Sequence, residues 1–451
     1  MPLSQGYRPA AALMELRPDF WDPVAAAEFP QARLRFRNDR AAAEVGLDAL
    51  TDDEWLAHFG RFRPLPGTLP EPLALRYHGH QFRVYNPDIG DGRGFTFAQL
   101  HDARGRLMDL GTKGSGQTPW SRFGDGRLTL KGAVREILAT EMLDALCVPT
   151  SRTLSVIETG EALERGDEPS PTRSAVLVRL SHGHIRIGTF QRLAYGRDEA
   201  NMRSLVSYVL RHHYGEPGDD PVRLLQLAVE RTSALAGRYM AAGFVHGVLN
   251  SDNINVTGES FDYGPWRFAP SWDPAFTAAY FDHQGLYAFA RQPEAIAWDV
   301  SQLAASLRLL VDSEPLVAAL DGFGPRFQEE LTAAILWRLG VRPRDPAADR
   351  AVARAVERGL AQTGIGIDRF FFDAFGGALP DGYGEPWAEL RTTLTNHRPR
   401  KAREHAHWSG EPCSMLIDEV EAIWSSIAER DDWSALHAKV QAVRAMGEAL
   451  A

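Results

Sequence analysis

The chain has 451 residues, 44% of them apolar and 24% charged, and its 49 basic and 59 acidic side chains give a formal charge of −10. That composition excludes a disordered, collagen-like or coiled-coil chain and leaves room for roughly two to four domains, or one large enzyme fold with additions. The negative balance argues against a nucleic acid or an anionic membrane as the partner.

Cys147 and Cys413 are the only cysteines, too few for a disulfide framework and in no zinc-ligand spacing. The first twenty residues carry no apolar leader, and no stretch approaches ~18 uninterrupted apolar residues. A cytoplasmic protein without a membrane span is expected.

Residues 1–71 mix short helical patterns with acidic turns and read as an N-terminal extension, closed by a Pro-rich, linker-like break from Arg61 to Pro72. From Leu73 to about Thr189, runs such as LALRY, FTFAQL, LMDLGTKG, TLSVIETG and SAVLVRL are rich in β-formers and bounded by Gly, Asp or Pro, which predicts a twisted sheet. One helix interrupts it, Lys131 to Leu146, with Val134, Ile137, Leu138, Met142 and Leu146 near one face. After Gln191 long helical patterns dominate, including residues 220–243, 298–310 and 327–339. The expected fold is α+β with two lobes in the manner of a protein kinase. Residues 72–190 form a β-rich, nucleotide-binding N-lobe, and residues 191–451 form an α-rich C-lobe ending in a helical tail.

Several residues carry chemistry in that order. Gly90, Gly92 and Gly94 surround Asp91 and Arg93 between two predicted strands, where a hairpin backbone can approach phosphates, although an ordinary turn reads the same way. Only four residues are lysines, and Lys113 ends a predicted strand twenty-three residues before Glu136 on the helix. A strand lysine held by a helix glutamate is how kinases fix an ammonium against ATP phosphates. Asp125 and Gly126, in a second Gly-Asp-Gly-Arg string, form a turn or part of a nucleotide-facing rim. Arg179 and Arg186 flank a short turn and could grip a polyphosphate, though surface arginines are the commoner case.

The strongest signal is FVHGVLNSDNINV followed by FDYGP. His246, Asn253 and Asp262 match the ordered His, Asn and Asp of kinase catalytic and metal-binding loops. An Asn amide and an Asp carboxylate suit Mg²⁺, which takes oxygen ligands and retains water and phosphate. Val248 stands where kinases place the catalytic Asp, and Asp252 is the nearest carboxylate able to replace it. His182 and His184, like His405 and His407, have no cysteine or carboxylate to complete a zinc site.

From about Pro72 to Leu303, through YHGHQF, GDGRG, DLGTKGSGQTPWSRFGDGR, HGVLNSDN, FDYGP and DHQGLYAFARQP, the chain resembles the SelO (selenoprotein O, YdiU) family of pseudokinase-like protein adenylyltransferases. The resemblance implies transfer of AMP from ATP to Ser, Thr or Tyr hydroxyls of proteins, and UMP from UTP as a second possibility, with ATP inverted relative to kinases. It implies Gly90, Gly92, Arg93, Lys113, Asp125, Gly126, Arg179, Arg186 and Asp262 as nucleotide contacts and Glu136 as the partner of Lys113. Asp252 becomes the base, and Asn253 and Asp262 hold Mg²⁺ or Mn²⁺. Arg83 departs from a glycine common after HQF and should stiffen that loop, and the cysteines of a redox bridge found in some members are absent. Two other readings stay open, a metal-dependent kinase transferring the γ-phosphate and a non-catalytic ATP-binding regulator. Val248 opposes the first, and the intact set Lys113, Glu136, Asn253 and Asp262 opposes the second.

Overall fold

The computed structural model describes residues 4–166 and 168–451. Its centre is a nine-stranded antiparallel sheet. The strands are β1 (Pro9–Ala10), β2 (Trp21–Pro23), β3 (Arg33–Arg37), β4 (Leu73–Leu75), β7 (Thr96–His101), β8 (Leu107–Lys113), β9 (Leu128–Thr129), β10 (Arg152–Leu163) and β11 (Thr172–Ser181). They run in the order β2-β4-β7-β8-β11-β10-β3, with β1 paired to β7 and β9 to β11. A separate hairpin, β5 (Gly79–Gln81) with β6 (Val84–Asn86), lies between β4 and β7 in sequence.

The predicted break at residue 72 does not separate two units. The preceding segment supplies both ends of the sheet, β2 beside β4 and β3 beside β10. The Arg61 to Pro72 stretch is a packed connector, with Phe62, Leu65 and Leu69 buried. Its helices α1 (Asp39–Glu44) and α2 (Asp52–Phe59) cover one face of the sheet, where Trp55 and Phe59 meet Phe97, Leu110, Val176, Val178 and Leu180. Alternation turns the intervening residues, Asp109, Gly111 and Lys113 on β8 and Leu177 and Arg179 on β11, to the opposite face. The register sets Leu177 opposite Lys113 and Arg179 opposite Gly111.

That second face receives α3 (Leu130–Ala145), begun by a Thr129 side chain that accepts from the Gly132 N–H. Val134, Ile137, Leu138 and Met142 are fully buried on it, as their spacing predicts.

Beyond a short strand pair, β12 (Phe244–Val245) with β13 (Arg267–Phe268), and the loops around it, the rest is helical: α4 (Ile187–Tyr195), α5 (Glu199–Tyr214), α6 (Pro221–Ala242), α7 (Gln292–Leu307), α8 (Ser313–Leu320), α9 (Phe323–Arg338), α10 (Pro346–Thr363), α11 (Ile367–Ala374), α12 (Ala388–Leu394), α13 (Ile417–Arg430) and α14 (Ser434–Leu450). The fold is α+β. No helix among the described residues is long and apolar enough to cross a membrane.

The tail does not simply extend the helical half, as the 191–451 assignment expects. Helix α14 lies on α3, where Gly447 approaches Ala145 and Arg444 makes a bidentate pair with Glu141 while also reaching Asn38. Lys131 of α3 pairs with Glu421 of α13. The Glu141 side chain is 8% exposed, so losing its cation leaves a nearly buried carboxylate unpaired. Arg444→Met should lower stability by about 2 kcal/mol, read as a lower urea midpoint with unchanged slope.

A second expectation concerns acidity. Glu259 accepts a 2.7 Å hydrogen bond from the His182 N–H, and burial pushes its carboxyl up from 4.5 to about 7. Below about 4.5 the group is protonated in both folded and unfolded chains. As pH rises to about 7 the unfolded chain gives up the proton while the folded one keeps it, so stability falls across that window. Glu259→Gln should flatten the fall by about 2 kcal/mol, allowing for partial solvent access, in urea titrations at a series of pH values.

Candidate active site

A cleft of about 670 Å³ opens between the sheet and the helical half. Eleven of the twelve residues singled out from sequence line it: Gly90, Gly92, Arg93, Lys113, Asp125, Gly126, Arg179, Arg186, Asp252, Asn253 and Asp262. The twelfth, Glu136, stands behind Lys113. The Lys113 ammonium pairs with the Glu136 carboxylate and lies 3.0 Å from Asp262 Oδ1. Side-chain exposures of 5% and 1% for Lys113 and Glu136 make this an interior pair, not a solvated one.

Both arginines are interior as well. Arg179 Nε donates to His184 Nε2 at 3.1 Å, and its Nη1 lies 3.5 Å from Asp262 Oδ1. Arg186 donates to Asp91 Oδ1 at 3.1 Å and to the Asp252 carbonyl at 3.4 Å, with its guanidinium over the rings of Tyr77 and Phe261. Burial works against ionisation of Asp262, but Lys113, Arg179 and Arg186 outweigh it and hold the carboxyl well below its ordinary value. Three buried cations thus converge near one carboxylate, with Arg93 at the rim. Glu136 and Asp91 balance two of these cations, but over the whole lining Lys113 and six arginines face four aspartates, and that surplus suits a polyphosphate.

The loop after α6 starts at Gly243, whose φ of +71° closes the helix in the left-handed region. His246 accepts from the Val248 N–H at Nδ1 (3.4 Å), so its Nε2–H donates to the Phe261 carbonyl (3.0 Å) and joins this loop to the Asp262 segment. Asn253 donates to the Val248 carbonyl at 3.0 Å. Asp262 itself has φ +62°, a strained conformation for a residue with a side chain, at the point where its carboxylate enters the cleft.

Asp252 is 7% exposed, and burial pushes its carboxyl up to about 6 in spite of Arg186. Its Oδ1 is buried with no hydrogen-bond partner. The hairpin β5–β6 is fastened over it: His80 N–H donates to Ser251 Oγ (2.7 Å), Phe82 N–H to Asn250 Oδ1 (3.0 Å), and Gln81 approaches Asp252 Oδ2 at 3.5 Å. A Cβ on Gly79 would lie 2.9 Å from the Asp252 Cβ, which explains glycine in YHGHQF. Phe82 and Arg83 have φ of +49° and +63°, and Arg83 is anchored to Glu294 at 3.1 Å. No local sequence pattern joins this hairpin to Asp252.

The glycine-rich segment is not a hairpin, although it lines the cleft. Residues 87–95 form an irregular connection from β6 to β7, and Gly90 and Gly92 are bare because Trp120 crosses them. Thr118 Oγ1 donates to the Asp91 carbonyl (2.6 Å) and Ser121 Oγ to the Gly92 carbonyl (2.5 Å), so residues 118–121 pin this rim. Asp125 makes a bidentate pair with Arg165 (2.9 and 3.1 Å), and Gly126 turns at φ +70°. Asp91, Gln81, Trp120 and Arg165 are site residues that sequence reasoning missed. Asp91 in GDGRG, Gln81 in YHGHQF and Trp120 in GQTPWSRFGDGR stood inside strings that carried the resemblance, and Arg165 stood in none.

The residues present fit a divalent cation delivered with a nucleotide. Asn253 commits its amide N–H to Val248, which leaves its oxygen as an acceptor, and Asp262 uses Oδ1 for both of its cationic partners. No cluster of three or more His, Cys, Asp or Glu with metal-binding geometry occurs among the described residues. Mg²⁺ can be held by two protein oxygens when phosphate and water supply its remaining ligands.

The family model described as "Protein adenylyltransferase SelO" matches residues 3–376. The protein nucleotidyltransferase YdiU of Synechococcus elongatus is 41% identical over 484 residues, covering 100% of this chain and 97% of that protein. The YdiU of Gloeobacter violaceus is 42% identical over 458 residues, covering 96% and 94%. Among solved structures, ROP2 from Toxoplasma gondii, described as having a protein-kinase fold and no enzymatic activity, aligns at TM-score 0.29 and 12% identity over 67% of this chain and 93% of that one.

Proposed function

The chain belongs to the SelO family of nucleotidyltransferases, and on that premise we propose that it transfers AMP from ATP to hydroxyl groups of Ser, Thr or Tyr in protein acceptors, with UTP as an alternative donor. The observation that carries this reading is the pairing of a cationic interior, Lys113, Arg179 and Arg186, with a carboxylate, Asp252, that lies apart from the position Val248 occupies. Here the buried charge favours the triphosphate end, which turns the α-phosphate toward Asp252.

In the transfer, the acceptor hydroxyl oxygen bonds to the α-phosphorus as the bond from that phosphorus to the α–β bridging oxygen breaks. Pyrophosphate leaves, and the hydroxyl proton passes to Asp252. Lys113, steadied by Glu136, and Arg179 and Arg186 bind the phosphates and offset the charge on the leaving pyrophosphate. Asn253 and Asp262 would hold Mg²⁺ or Mn²⁺, which when bound neutralises phosphate charge and orients the leaving group.

Incubating the protein with a general protein acceptor, divalent cation and either α- or γ-labelled ATP tests the reading. Label entering acceptor from α-ATP alone is expected, with pyrophosphate released in step. Label from γ-ATP alone would replace it with phosphoryl transfer despite Val248.

A further inference from the structure

Arg179 is held by a neighbour that the proposed chemistry leaves unused. Its Nε–H points at His184 Nε2, 3.1 Å away, and an N–H can point there only if that nitrogen carries no proton. His184 Nδ1 faces Asp109 Oδ2 at 3.3 Å, so the ring proton sits on Nδ1 and donates to the carboxylate. Asp109 Oδ1 in turn accepts from Gln99 Nε2 at 2.7 Å, and Gln99 Oε1 accepts from the Leu13 N–H at 2.7 Å. Gln99, Asp109, His184 and Arg179 are each no more than 5% exposed. The chain therefore runs without solvent from the N-terminal segment to Asp262.

Register makes room for it. Gly111 is the cross-strand partner of Arg179, and a Cβ there would overlap the His184 ring. The bare glycine is what lets the imidazole lie between Asp109 and Arg179.

We infer that His184 and Asp109 are positioning residues that aim the Arg179 guanidinium into the cleft while leaving its charge available to phosphate. This rests on the reading of Arg179 as a phosphate grip. A carboxylate bonded directly to Nε would fix the same direction but would neutralise the cation. A neutral imidazole fixes the direction alone, and Asp109, one residue removed, selects the tautomer that can accept. The His182-Gly-His184 string thus serves hydrogen-bond geometry rather than metal binding.

The test measures the affinity of the full-length protein for ATP and for inorganic tripolyphosphate, with thermal unfolding in parallel. His184→Leu should weaken both ligands about tenfold or more, because a buried donor loses its acceptor and the guanidinium its aim. His184→Gln, whose amide oxygen can accept from Nε, should recover most of that loss. Asp109→Asn keeps shape but can donate to Nδ1, moving the ring proton to face Arg179, and should resemble His184→Leu even though the histidine remains. Gly111→Ala should do the same by displacing the ring.

A His184→Leu protein that binds both ligands within about twofold of wild type overturns the inference, as does His184→Gln failing alongside His184→Leu at equal thermal stability. If His184→Leu does not fold, Asp109→Asn decides, and unchanged affinity in that variant overturns the inference. Wild-type protein that binds neither ligand would remove the phosphate-grip reading and this inference with it. Wild-type binding with indifferent variants removes the inference alone.

Discussion

Asp262→Ala should reduce nucleotidyl transfer by about a thousandfold or more while leaving metal-free nucleotide binding intact or tighter. The carboxylate has two duties in the structure. It lies 3.0 Å from Lys113 and 3.5 Å from Arg179, and in the proposed function it is the charged ligand of a divalent cation beside Asn253. Its removal takes away the metal's anionic ligand, a term worth several kcal/mol in phosphoryl chemistry. The same removal leaves Lys113, Arg179 and Arg186 with less negative charge among them, which favours an incoming polyanion. Incorporation from α-labelled ATP, set beside ATP affinity in chelator, reads both effects. Turnover near wild type would refute the metal assignment, and parallel loss of both would mean that Asp262 builds the cleft instead of serving it.

Asp252→Asn should lower the turnover number by about a hundred- to ten-thousandfold with little change in the KM for ATP. The amide is nearly the same size as the carboxylate, so packing against Gly79 and the hairpin clasp at Ser251 and Asn250 should survive. What is lost is the ability to take a proton, and Val248 cannot supply it. Steady-state kinetics with ATP and a saturating acceptor separate the two parameters. Equal damage to turnover and KM would move Asp252 from base to nucleotide ligand.

How much of this could be read from the sequence depended on how far apart the cooperating residues lie. Lys113 and Glu136 were legible because a scarce lysine ended a strand pattern and the glutamate fell on the next helix, only twenty-three positions away. Asn253 and Asp262 stood in one short ordered string. Gln81 and Asp252 are 171 positions apart. Nothing local to YHGHQF says that its hairpin will clamp a distant loop.

The edge strands were missed for a different reason. RLRFR and WDP are short and charged or interrupted by proline, features that protect exposed sheet edges from pairing elsewhere and hide the strand signal. A helical tail was expected, but nothing local to it names its target, so the seat of α14 on α3 came only with the structure. The glycines were found, but not the residue that crosses them: a Cβ on Gly90 or Gly92 would meet Trp120, thirty residues on from the first.

The central claim is that the cationic interior grips the far end of the triphosphate and so presents the α-phosphate to Asp252. A crystal structure of the protein with Mg²⁺ and a non-transferable ATP analogue tests it most directly. The account predicts the γ-phosphate within hydrogen-bonding distance of Arg179 and Arg186, the α-phosphate as the phosphate nearest Asp252, and the base toward the rim at Asp125 and Gly126. A base seated in the interior with the γ-phosphate beside Asp252 would contradict it and restore the orientation of an ordinary kinase.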